Sequence, residues 1–229
     1  MTLKINLKPT DKLFFKKYPY KIDFNIVGAS LIRAKGLEWA KEFAKDLKLK
    51  APYYMREASQ IDRMALGTFI QTIEPYLEKA EEFQTRTEIN RFTYYSKDLQ
   101  EIESLAKELD WCMSEVWGPQ DQLELDFLLA NKRKLLCDAI PYSKYRFKII
   151  LKSSVPVHSR TQFLTWANNY TEDDIKISRG TSSWLKSTRR YCQTPFFYLA
   201  DEKMLTFASI FLSNNISTIQ EYFPRHNVI

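Results

Sequence analysis

An α+β fold made of two similar halves is what the sequence predicts, on three observations. The segment YPYKIDF at Tyr18–Phe24 lines up with YRFKIIL at Tyr145–Leu151. The same order of elements, strand-helix-strand-strand-helix-strand, is read twice along the chain. The stretches beginning FTYYSKDLQ and PFFYLADEK each run from an aromatic strand through an acidic turn and a helix to a short aromatic strand ended by proline.

In the first half, Tyr20, Ile22, Phe24 and Ile26 alternate with polar residues, the period of a half-buried strand. Leu37–Leu49 carries Leu37, Ala40, Phe43, Ala44 and Leu47 at helical spacing, and Pro52 marks its end. Residues 53–56 read as a short strand. An inserted helix follows over Ser59–Ile73, bent or ended by Pro75. Thr87–Tyr95 is a β-rich alternation. Asp98 is placed to cap a helix, with Glu101 completing a capping box and Ile102, Leu105, Ala106 and Leu109 as its buried stripe. Cys112–Trp117 is a last strand, closed by Gly118-Pro119.

Residues 121–139 read as a connecting helix stopped by Pro141. In the second half the strands are Tyr145–Leu151, Asp174–Ser178, Phe196–Leu199 and Ser217–Phe223, and the helices are Ser159–Asn169 and Glu202–Leu212. Two tandem ferredoxin-like (βαββαβ) halves joined by a helix are therefore expected, with boundaries 1–120, 121–141 and 142–229. A single irregular α+β domain is the alternative.

Composition narrows the function. The 229 residues are 45% apolar and 27% charged, enough to bury a core and too apolar for wholesale disorder. No run of 18 apolar residues exists, and the lysine-rich N-terminus lacks the apolar stretch of a secretory signal, so no membrane association is expected. Three scattered cysteines and two histidines predict neither a disulfide framework nor a metal site. Five isolated glycines leave no phosphate-cradling loop and point to no cofactor. A reducing, cytoplasmic setting is expected, either host cytoplasm or a virion if the protein is viral; the abundance of Lys, Ile, Asn, Tyr and Phe suits an AT-rich genome.

The net charge of +6 is unevenly placed. Residues 1–65 hold 14 basic against 7 acidic side chains, residues 66–130 hold 5 against 14, and residues 131–229 hold 15 against 7. Solvated helix faces, a two-faced molecule or self-association of basic on acidic surface all fit this pattern.

Three basic-aromatic clusters are candidate sites. Arg179–Tyr191 brings Arg179, Lys186, Arg189 and Arg190 together with hydroxyls, Trp184 and Tyr191, and no acid occurs between residues 175 and 200. Guanidinium groups and hydroxyls suit phosphate oxygens, and aromatic rings suit unpaired bases. Lys144–Lys152 places Lys144, Arg146 and Lys148 on one strand face. Lys12–Lys21 adds Lys16 and Lys17. Each cluster could equally be a solvated surface, and Trp184 could be core.

Catalytic signals are weaker. Asp173-Asp174 follows Glu172 in a loop, and Asp201-Glu202 follows the strand FFYL as metal-holding carboxylates do in polymerase palms, but a helix follows Asp201, where capping accounts for it. His158 lies at a helix start, where a general acid or base is one reading and a surface residue another. No nucleophile-base set emerges. The expected function is non-catalytic binding of RNA or single-stranded DNA through basic-aromatic sheet and loop surfaces. The alternative is a structural or assembly protein, viral or phage, that forms a homo-oligomer through its oppositely charged segments. A nuclease or transferase with an unseen site ranks third.

Overall fold

In a computed structural model, which describes residues 6–50, 52, 59–79 and 82–228, the chain is a mixed α+β protein. Two five-stranded sheets and eight α-helices occur among those residues. The chain divides into two compact units, Met1–Leu129 and Ala130–Ile229. Among the described residues no helix is long and apolar enough to cross a membrane.

In the first unit, β1 (Lys8–Pro9) precedes β2 (Tyr20–Asn25). Gly28 (φ 90°) and Gly36 (φ 89°) take left-handed backbone conformations, which lets α1 (Ala29–Lys35) and α2 (Leu37–Lys45) follow β2 closely. Next comes α3 (Gln60–Lys79). Pro75 sits inside this helix and does not end it; its missing N–H frees only the carbonyl of Gln71. The strand expected at 53–56 lies outside the described residues. The second long strand of the sheet is instead β3 (Phe83–Glu88), which forms a hairpin with β4 (Arg91–Ser96). The single strand expected over Thr87–Tyr95 is thus two, broken where Ile89 takes φ 39°. After these come α4 (Leu99–Glu108), β5 (Met113–Gly118) and α5 (Gln122–Ala130).

Asp98 caps α4 as expected, accepting from the Gln100 N–H at 2.8 Å. Glu101 does not complete the box. It accepts from the hydroxyls of Tyr94 and Ser96, and the Ser96 oxygen accepts the Asp98 N–H at 3.0 Å in its place.

The second unit begins at Ala130. The helix expected to run to residue 139 stops at Ala130, and Lys134–Cys137 is a strand, β6, paired in parallel with the last strand of the unit. Then follow β7 (Phe147–Leu151), α6 (Val157–Ala167), β8 (Ile175–Ile177), α7 (Arg179–Leu185), β9 (Phe196–Leu199), α8 (Glu202–Leu212) and β10 (Ile216–Pro224). The segment expected to be a basic loop therefore begins as the helix α7.

The sheets are ordered β1-β5-β2-β4-β3 and β6-β10-β7-β9-β8. In each, the short first strand runs parallel to its neighbour and all other pairs are antiparallel. Strand alternation sends Ile22, Phe24, Phe92 and Tyr94 into one core with Phe43, Phe69, Ile70 and Leu105 from the helices. Phe147, Ile149, Phe197 and Leu199 enter the other, with Phe163, Trp184, Met204 and Ala208. All these core contacts lie on one face of each sheet.

Candidate nucleic-acid interface

The alternation that fills each core sends a second set of side chains to the opposite sheet face. In the second unit, Gln220, Lys148, Tyr198 and Lys176 are paired in register across β10, β7, β9 and β8. One row on, Thr218, Ile150 and Phe196 pair in the same way. The Lys148 ammonium lies 4.4 Å from the Phe196 ring centre and 5.9 Å from that of Tyr198. Tyr142 packs edge-on against Tyr198 at 5.7 Å, with the Lys176 ammonium 4.5 Å from its ring. Among the described residues neither Lys148 nor Lys176 meets a carboxylate. Burial raises the Tyr198 phenol above its ordinary value, so it stays neutral and a donor at physiological pH.

The first unit carries a comparable row: Lys8, Trp117, Lys21, Tyr95 and Gln84 across β1, β5, β2, β4 and β3. A lysine on one central strand faces a tyrosine on the other in both sheets. Here the charge is answered. Asp23, with no exposed surface, accepts from the Lys21 ammonium at 2.9 Å, from the Thr93 hydroxyl at 2.6 Å and from Arg91. Lys8 pairs with Glu115, and Arg86 with Glu88. In-register pairing places Asp23 beside Lys21's row where Ile150 stands beside Lys148's. Phe14 and Phe15 also cover Tyr95, at 5.5 and 4.9 Å between rings.

The sequence candidates fall in different environments. Arg179, Lys186, Arg189 and Arg190 are exposed and have no ion-pair partner among the described residues, and Tyr191 is exposed beside them. Trp184 is 4% exposed and belongs to the core; its Nε1 donates to the Arg189 carbonyl at 3.1 Å, and the Arg160 guanidinium lies 4.9 Å from its ring. The ring is thereby covered on the side where a base would stack. Lys144 pairs with Asp173, and Arg146 donates to Glu221 at 3.1 Å, so both are partly neutralised. Lys148 lies half-buried on the sheet face opposite the helices. Lys16 is exposed at a turn with φ 58°, and Lys17 lies 3.8 Å from Glu82, too exposed a pair to matter much. Sequence reasoning missed Phe196, Tyr198, Lys176 and Tyr142. The alternation within FFYL and DIKIS carried that signal, but it acquires meaning only once β8 and β9 are known to flank β7.

The carboxylate candidates resolve into structural roles. Asp201 caps α8, accepting from the Met204 N–H at 2.8 Å, and Asp174 accepts from the Thr171 N–H and hydroxyl. Asp201→Ala is expected to cost about 1 kcal/mol in urea unfolding, the ordinary loss for an N-cap. His158 is exposed near the start of α6. Among the described residues no group of three or more His, Cys, Asp or Glu side chains could hold a metal ion. The sequence matches no known family model and no curated protein.

Proposed function

We propose that this protein binds single-stranded nucleic acid, RNA or DNA, without catalysis, through the open sheet face of its second unit. We also infer that both units are ferredoxin-like. Apart from the added parallel edge strand, each has the antiparallel order fourth, first, third, second that defines βαββαβ sheets, and Lys21–Tyr95 and Lys148–Tyr198 hold matching registers, as an internal duplication would produce.

The observation that carries the binding reading is the row Lys148–Tyr198–Lys176 beside Phe196 and Tyr142: aromatic faces interleaved with cations that no carboxylate among the described residues neutralises. Bases stack on such rings whatever their sequence, and phosphates take the ammonium groups. On binding, Lys148 exchanges the Phe196 ring face for a phosphate. The comparable face of the first unit lacks this capacity because Asp23 occupies Lys21 and Arg91.

Titration of fluorescent single-stranded and duplex oligonucleotides at several salt concentrations tests the proposal. Single strands are expected to bind more tightly than duplex. Tyr198→Ala should weaken binding by about 1–3 kcal/mol with little change in salt slope. Ile150→Asp, which copies the Asp23 arrangement, should neutralise Lys148 and flatten the slope by about 0.7. Equal binding by both folded variants and the parent protein would refute the reading.

A further inference from the structure

Arg160 is 1% exposed, one of the most completely buried large side chains of the molecule, and its guanidinium has no carboxylate partner among the described residues. One terminal nitrogen donates to the Trp184 carbonyl at 2.9 Å and to the Arg189 carbonyl at 3.0 Å, while Nε has no hydrogen-bond partner among the described residues. A buried cation left without a counter-charge is among the costlier arrangements a core can hold. The two carbonyls belong to the C-terminal part of α7 and to Arg189, near the end of the mostly exposed run Lys186–Arg190, so a residue of α6 fixes the path of the basic segment. Trp184 Nε1 donates to the same Arg189 carbonyl, and Ser187 Oγ accepts the Arg189 N–H at 3.2 Å. The chain then returns to the sheet: Cys192 N–H donates to Ser153 O and Leu151 N–H to Pro195 O, which brings the segment to the end of β7 and β9 where Phe196 stands.

We propose that Arg160 is a positioning residue: it holds Lys186, Arg189 and Arg190 as a fixed phosphate-contacting edge for a single strand leaving the sheet face at Phe196. The inference rests on the binding reading above. Two effects act together. The bridged carbonyls hold the backbone, so three flexible cations contact phosphates without ordering the segment first. The buried charge, poorly screened by water, adds to the positive potential of the segment above it.

The test uses the full chain with Arg160→Lys, which keeps the charge but is too short to place its nitrogen where the bridging one sits, the pair Arg189→Ala/Arg190→Ala, and all three changes combined. Trypsin cleavage after Lys186, Arg189 and Arg190, well below the unfolding temperature, reads the positioning directly. Oligonucleotide affinity against salt reads its consequence. Arg160→Lys is expected to speed cleavage at this segment at least tenfold and to flatten the salt slope by up to about 2, at roughly 0.7 for each of three phosphate contacts. On that background Arg189→Ala/Arg190→Ala should add little. If Arg160→Lys lowers thermal stability but leaves cleavage unchanged, or if its effect on the slope adds fully to that of the pair, Arg160 is only a core residue and the inference falls while the binding reading stands. If the parent protein binds no single strand, both fall, and the cleavage rates then report a structural clamp alone.

Discussion

Asp23→Ala is expected to destabilise the protein by about 3 kcal/mol, measured by urea unfolding at neutral pH. Removing one partner of a buried ion pair leaves its counter-charges uncompensated, which ordinarily costs 3–5 kcal/mol. The low end applies because Arg91 is half exposed and regains water, whereas Lys21 is only 13% exposed and does not. The same carboxyl predicts an acid dependence. Burial by itself would raise its pKa, but bonds from Arg91, Lys21 and Thr93 more than offset that and hold it below the ordinary Asp value. A depressed folded pKa contributes stability that is fully present above the unfolded value, about 3.9, and is lost as pH falls through the folded value. Asp23→Asn keeps the shape and removes the proton. Its stability should change less with pH below about 4 than that of the parent protein. Parallel pH profiles for the two would show that Asp23 contributes nothing to acid unfolding.

Local pattern made most strands legible. Alternation located β2, β7 and β9 to within a residue or two, because each buries one face and period 2 leaves a clear trace. Long-range pairing did not leave such a trace. KLLC at Lys134–Cys137 follows an apolar helical stretch and reads as its continuation; only β10 beside it makes it a strand. The β3–β4 hairpin was hidden because Ile89, at the break, is a residue rarely found at positive φ. Asp23 read as the exposed member of an alternating strand, yet its face is closed by Arg91 and Thr93 from a strand seventy residues away.

The candidate site was legible in its chemistry and less so in its location. Lys148 and the cations of Arg179–Arg190 were visible as charges without nearby acids. Which of them are neutralised depends on Asp173 and Glu221, whose positions follow from the fold. Arg160 gave no signal, since a lone arginine in a helix is ordinarily solvated.

Trp184 was the residue whose role sequence left most open, and its substitution has the other large expected effect. Trp184→Ala should cost about 3–5 kcal/mol in urea unfolding, as removal of a large aromatic from a core does. The ring packs within the core of the second unit and against Arg160, and its Nε1–H is half of the pair of donors on the Arg189 carbonyl. Trp184→Phe separates these contributions. It keeps most of the packing and loses one hydrogen bond, about 1 kcal/mol, along with a small unfilled volume. A base-stacking tryptophan would behave in the opposite way: Trp184→Ala would leave stability nearly unchanged and weaken oligonucleotide binding by about 1–3 kcal/mol, while Trp184→Phe would preserve both. Unfolding curves and affinities measured on the two variants decide between these patterns, and a stable Trp184→Ala protein would remove Trp184 from the core account.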